Sequence, residues 1–147
     1  MEQKSKHFEL EVESKLKNLA IIGDFIANAM KQLGIEHTQD IFKVQLAVDE
    51  ACTNIIKHAY TREGEGQIII CCSLSDNTLL VTIKDWGKCF APNSVPRPNT
   101  KAALSERKEG GLGIFLMREL MSEIRFTFNK EEGNKLTMIK HLGKTVR

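Results

Sequence analysis

The chain has 147 residues, which fits one domain built on a single core. Its apolar and charged fractions, 41% and 27%, are those of an ordinary soluble globule, and a net charge of +2 is too small to point to nucleic acid or a membrane surface. No apolar run approaches the ~18 residues of a membrane span, and the alternating charges of Met1 to Glu13 leave no signal-peptide core, so a cytoplasmic protein is expected. Cys52, Cys71, Cys72 and Cys89 show no CxxC spacing, which argues against zinc; they read as small buried apolar residues in a reducing compartment.

His7 to Glu13 alternates Phe8, Leu10 and Val12 with charged or polar residues, the pattern of a half-buried strand. A helix is predicted from about Ser14 to Leu33, with Ser14 as its cap and Gly34 as its stop. Its apolar face is expected to comprise Leu16, Leu19, Ala20, Gly23, Ile26, Ala27, Met30 and Leu33.

A second helix is predicted from about Gln39 to Tyr60, capped by Thr38. At ~100° per residue, Val44, Ala47, Val48, Ala51, Cys52, Ile55 and Ala59 fall on one stripe. Glu50, Asn54 and His58 follow at i, i+4, i+8 along its border. Such a polar line is ordinary on an amphipathic helix, yet it also places an acid, an amide and an imidazole where the buried face meets water.

Gln67 to Leu74 and Leu79 to Lys84 form a hairpin around Ser75-Asp76-Asn77-Thr78, and their near-continuous apolar character suggests inner strands. Ala91 to Glu109 holds all three prolines and is too long for a plain connection; segments of this kind are usually lids, binding loops or disorder. Gly110-Gly111-Leu112-Gly113 then opens a helix to about Met121, with Leu112, Phe115, Leu116 and Leu120 as its apolar residues. Ile124 to Phe128 and Lys135 to Leu142 are the last two strands, joined by a loop at residues 130–134. Hairpins interleaved with helices, without a βαβαβ rhythm, predict an α+β fold: a two-layer sandwich of a mostly antiparallel five-stranded sheet with helices on one face.

The remaining motifs are weak one by one. Asp85 ends a strand with Gly87 two residues on. A carboxylate there can accept from an exocyclic amine and a glycine can admit a flat ring, although a turn aspartate before a turn glycine is commoner. The glycines before the third helix can bring backbone N–H groups and a positive helix end onto phosphate, or serve only as a hinge. Neither a P-loop nor a Rossmann fingerprint is present.

Taken in order, Glu50-x-x-x-Asn54, Asp85-x-Gly87-x-x-Phe90 and Gly110-Gly111-Leu112-Gly113 resemble the N, G1 and G2 boxes of the GHKL ATP-binding superfamily, which includes gyrase, heat-shock chaperone ATPases, MutL-type repair proteins and histidine kinases. The phrase Ala47-Val48-Asp49-Glu50-Ala51-Cys52-Thr53-Asn54 and the opening strand resemble more narrowly the bacterial anti-sigma-factor serine kinases. This resemblance implies a Bergerat-type fold that binds ATP and Mg²⁺. Asn54 would ligate Mg²⁺, Glu50 would be the general base on a substrate serine, Asp85 would take the adenine amino group, and Gly87 would leave room for the ring. Gly111 and Gly113 would cradle phosphates, and residues 91–109 would form the ATP lid. Phe90, Gly110 and Leu112 complete the boxes as ATP contacts, and Lys57 and His58 lie within reach of nucleotide. Relatives often carry a threonine beside the adenine; the aligned position is Lys135, with Thr137 two residues on as the candidate. The chain departs from many relatives in having Lys88-Cys89 where a second glycine would stand. No phosphoacceptor-histidine helix pair is expected ahead of the domain.

The implied partners are a sigma factor, sequestered, and an anti-anti-sigma protein, phosphorylated on serine; a homodimer is expected, with no nucleic acid and no membrane. The alternatives are a module that binds ATP to shape a partner face without transferring phosphate, and a regulator of a pathway without a sigma factor.

Overall fold

The computed structural model describes residues 6–88 and 111–143. Five strands, β1 (His7–Glu13), β2 (Gln67–Ser75), β3 (Thr78–Asp85), β4 (Glu123–Asn129) and β5 (Gly133–His141), form one antiparallel sheet in the order β1-β2-β3-β5-β4. Among the described residues three helices, α1 (Leu19–Gln32), α2 (Thr38–Asn54) and α3 (Gly111–Leu120), share a single core with the inward side chains of the sheet. This is the expected α+β arrangement. β2, β3 and β5 are inner strands, whose residues alternate into the core as Ile68, Ile70 and Cys72, as Leu79, Val81 and Ile83, and as Leu136 and Met138. β1 is an edge, and its exposed Glu9, Glu11 and Glu13 discourage pairing with another chain.

Gly34 ends α1 as expected. It sits at φ +93°, its N–H donates to the Lys31 carbonyl (3.0 Å), and the Ile35 N–H reaches back to Met30 (3.0 Å). These are the two bonds of a Schellman motif, which a residue with a Cβ closes only under strain.

Several expectations fail in instructive ways. Ser14 does not cap α1: it is fully buried, and its Oγ accepts from the Gly66 N–H (3.3 Å), pinning the end of β1 to the loop before β2. A 3-10 turn (Leu16–Asn18) intervenes and α1 starts at Leu19. The tighter turn shifts the phase, so the buried face is Ile22, Ile26, Ala29, Met30 and Leu33, while Leu16 and Ala20 are exposed. Thr38 is the first residue of α2 and no side chain caps it. In α3 the inward residues are Ile114, Met117 and, just past its end, Met121, and Phe115 is exposed. From Leu112 to Met117 no polar side chain marks a face, so packing chooses it. Cys52 and Cys72 are buried, whereas Cys71 is half-buried and its thiol donates to Glu9 Oε1 across the sheet (3.3 Å). Cys89 lies outside the described residues.

α2 also ends differently. From Ile55 to Ala59 the chain makes a π turn, then leaves the helix at Tyr60 in extended conformation. The wider turn inserts part of a residue into the helical phase. Ile56 therefore enters the core at 5% exposure in place of Ile55, and Ile55 is left half-buried.

Tyr60 fastens this end. Its hydroxyl donates to the Gln67 carbonyl (2.8 Å) and accepts from the Trp86 N–H (2.9 Å), tying the helix end to the start of β2 and the residue after β3. Gly66 makes space for the ring, because a Cβ there would lie 2.1 Å from ring carbons. We expect Tyr60→Phe to lower unfolding free energy by about 1–2 kcal/mol, through two lost hydrogen bonds at a partly exposed site. Gly66→Ala should destabilise the wild type clearly and a Tyr60→Ala background far less. Denaturant unfolding of the double-mutant cycle measures both, and additive effects would contradict the latch.

Candidate functional site

The site is built where the C-terminal end of α2 meets the ends of β3 and β5 and the start of α3. Asp85, the last residue of β3, lies directly across from Asn134 on β5 in the strand register. It is a buried carboxylate, 6% exposed. Its Oδ1 accepts from the Gly87 N–H (2.9 Å) and from Asn134 Nδ2 (3.0 Å), and Asn134 Nδ2 also donates to the Gly87 carbonyl (3.0 Å). Burial raises the Asp85 pKa above its ordinary 3.8, and the bonds from Asn134 and Gly87 pull it partly back.

Gly87 is required by α2. A Cβ at Gly87 would sit 2.3 Å from the Ala59 carbonyl oxygen, and the same carbonyl accepts from the Lys88 N–H. The π turn thus delivers the Ala59 carbonyl against the strand end, and only a glycine lets the two backbones touch.

The second close approach is at Gly113, in the first turn of α3. A Cβ there would lie 3.1 Å from Glu50 Oε2 and 3.2 Å from Asn54 Nδ2. Glu50 and Asn54, one turn apart on α2, therefore face the N-terminal turn of α3 side by side. Burial raises the Glu50 pKa first, the neighbouring Asp49 charge adds to it, and Lys57 opposes both. A carboxylate moved toward neutrality is a better proton acceptor at working pH than an ordinary surface one.

Between these points lies a cavity of about 310 Å³, within the ~300–1,000 Å³ range of small-molecule sites. Ile55, Ile114 and Met117 form one wall and Leu136, Phe126 and Phe128 the other. Asp85, Asn134, Asn54 and His58 supply the polar groups, with Lys88 and Lys135 as cations. An apolar slot lined also by a carboxylate and two amides suits a flat heterocycle carrying a polar tail.

Asn54, His58, Asp85, Gly87 and Gly113 are thus brought to one place, with Glu50 beside them. Leu112 and Gly111 belong to the same first turn of α3. Lys57 is exposed and does not line the cavity. Nor does Thr137: it pairs with Thr82 and Arg125, and strand alternation turns it to the sheet face away from the helices, opposite Leu136 and Met138. Phe90, Gly110 and the lid proposed at residues 91–109 lie outside the described residues. Sequence reasoning missed Asn134, assigned to a hairpin loop, and the aromatic wall of Phe126 and Phe128, whose rings stack at 6.3 Å. The two-residue spacing of those phenylalanines was the available signal for the wall. The signal for Asn134 was the register that sets it opposite Asp85.

Among the described residues no group of three or more His, Cys, Asp or Glu side chains would hold a metal alone. One amide oxygen beside one carboxylate is, however, the sparse donor set that Mg²⁺ accepts when phosphates and water supply its other ligands.

Residues 12–140 match the histidine kinase-like ATPase domain family. The chain is 32% identical over 149 residues to the serine-protein kinase RsbW of Staphylococcus epidermidis, covering 98% of this chain and 92% of that one. It is 30% identical over 146 residues to the serine-protein kinase RsbW of Bacillus thuringiensis, covering 97% and 89%. The fold is similar to the histidine kinase domain of the blue-light activated histidine kinase EL346 of Erythrobacter litoralis, with a TM-score of 0.53 and 21% identity over 84% of this chain. The chain spans 61% of that structure's length. No helix among the described residues is long and apolar enough to cross a membrane.

The raised Asp85 pKa has a stability consequence. The folded state binds this proton more tightly than the unfolded chain, so stability falls as pH rises through the raised value. We expect Asp85→Asn, which keeps an acceptor oxygen but no charge, to melt above the wild type at neutral pH. The gap should close as pH falls toward 3.8, the ordinary aspartate value. Melting curves across that range test this; a variant that melts lower at neutral pH would show that the buried charge stabilises.

Proposed function

The chain belongs to the histidine kinase-like ATPase family, and we propose that it is an ATP- and Mg²⁺-dependent protein serine kinase that phosphorylates an anti-anti-sigma protein and sequesters a sigma factor. ATP binding goes with the family. Serine phosphorylation is the activity named for the RsbW relatives that align with almost the whole chain. The observation that carries the reading is the pairing of Glu50 and Asn54 against Gly113, with Asn54 also lining the cavity that Asp85 lines.

In this reading Asp85 accepts the adenine amino group while the apolar walls hold the ring. The N-terminal turn of α3, with Gly111, Leu112 and Gly113, presents backbone N–H groups to the phosphates. His58 contacts the nucleotide from the cavity wall, whereas exposed Lys57 is a weaker candidate. Asn54 would hold Mg²⁺, which when bound neutralises phosphate charge. Glu50 takes the proton of the incoming serine hydroxyl; the serine oxygen bonds to the γ-phosphorus as its bond to the bridging oxygen breaks, and ADP departs. A cytoplasmic setting follows from the need for ATP and a sigma factor. We propose a homodimer as well, supported by the sheet face that the helices leave open, where Leu80 (37% exposed) stands beside its cross-strand partner Ile139.

Two variants test this. Asn54→Ala should remove the Mg²⁺-dependent tightening of ATP binding, since its amide oxygen is the ligand this reading assigns to the metal, with only a small change in melting temperature. A large loss of melting temperature with Mg²⁺-dependent binding intact would assign Asn54 to structure. Glu50→Gln should bind ATP and partner normally yet phosphorylate the partner about a hundredfold more slowly or worse, the usual loss for a general base. Wild-type rates in that variant would sink the base assignment. A wild type that binds ATP and partner but transfers nothing would favour the binding-module reading.

A further inference from the structure

Asn134 makes two hydrogen bonds through a single nitrogen. Both partners, Asp85 Oδ1 and the Gly87 carbonyl, are acceptors at 3.0 Å, so the amide must turn its NH₂ toward them. The flipped amide would set three oxygens against one another. Neither hydrogen on Nδ2 is then left over. With the Gly87 N–H also on Oδ1, the Asp85–Gly87 turn is closed from within and clamped from the next strand. Among the described residues every hydrogen bond to the Asp85 carboxylate falls on Oδ1 and is donated to it, which leaves Oδ2 as the acceptor for a ligand in the cavity that Asp85 and Asn134 both line.

We propose that Asn134 is a positioning residue that keeps Asp85 a hydrogen-bond acceptor and so makes the cavity prefer a 6-amino purine to a 6-oxo purine. This rests on the reading of Asp85 as the adenine contact. A purine with an amino group at C6 donates to the Asp85 carboxylate. A purine with an oxygen at C6 presents a lone pair where the amine stood, which repels a carboxylate and is welcomed by a carboxylic acid, and its N1–H donor lies to one side of that position. The preference therefore depends on Asp85 staying ionised although it is buried. The bonds from Asn134 and Gly87 favour the charged form against desolvation. Removing the Asn134 donor leaves the Gly87 N–H alone to oppose burial, and also frees the Gly87 carbonyl from its tether.

Other titratable groups face Asp85. Cys52 and Tyr60 both feel its charge and are themselves raised by burial, so they stay neutral while Asp85 titrates. His58, Lys88 and Lys135 share the cavity lining. His58→Gln serves as the control for a histidine contribution to any pH dependence.

The test compares ATP with inosine triphosphate, which carries an oxygen at C6 and a hydrogen on N1, by calorimetry on the whole chain across acidic to neutral pH. The variants are Asn134→Leu, similar in volume without a donor, and Asn134→Ser, which keeps a hydroxyl. We expect the wild type to prefer ATP. In Asn134→Leu that preference should fall about tenfold, the change given by one lost hydrogen bond to a charged group. The loss of ATP affinity on acidification should also begin at higher pH, and Asn134→Ser should lie between. If Asn134→Leu does not fold, the ordering of Asn134→Ser against wild type decides in the same direction. A folded variant whose preference and pH profile match the wild type overturns the role of Asn134 while leaving the ATP site standing. A wild type that binds both nucleotides equally overturns the adenine role of Asp85, and this inference with it.

Discussion

A carboxylate held at 6% exposure at the end of β3 sets the terms for everything around it. An ion there needs donors, and two are supplied: the Gly87 N–H from the same turn and the Asn134 amide from the neighbouring strand. Closing that turn brings Gly87 against the Ala59 carbonyl, where no Cβ fits. Ala59 reaches that position through the π turn at the end of α2, and Tyr60 then ties the same end to β2 and to the Trp86 N–H. One buried charge thus links the sheet's register, the helix's irregular end and two glycines.

α2 serves two purposes with one length of chain. Ile41, Val44, Ala47, Val48, Ala51 and Cys52 are buried on its inner side, while Glu50 and Asn54 emerge on its border against the first turn of α3. Because the inner side anchors the helix, the border residues need no contacts of their own to be held in place. Glu50 can therefore remain a carboxylate with a raised pKa instead of being neutralised by a tight ion pair. Gly113 completes the arrangement, since a Cβ there would crowd the tips of both side chains, at 3.1 and 3.2 Å.

The cavity follows from mismatched packing. β4 is an edge strand whose Phe126 and Phe128 stack on each other and line the cavity, together with Ile114 and Met117 of α3 and Ala51 and Asn54 of α2. The space left between them is lined mostly by apolar side chains, with a few polar groups among them. A nucleotide needs that division, and a simple core fills it.

The sequence by itself determined the strands, the α+β class and the polar line of Glu50 and Asn54, because these rest on periodicities of two and 3.6 residues and on local turn chemistry. Asp85, Gly87 and Gly113 were legible too, since their value lies in residue type at a fixed spacing. The tertiary structure alone decided the phases and the faces. The 3-10 turn before α1 rotated its buried side from Leu16 and Ala20 to Ile22 and Ala29. The π turn exchanged Ile56 for Ile55, and α3 buried Met117 in place of Phe115. Thr137 fell on the open side of the sheet, and Asn134, which looks like a loop residue, became the partner of Asp85. Phase and register are set by which surfaces pack against each other across the chain, and no local pattern carries that information.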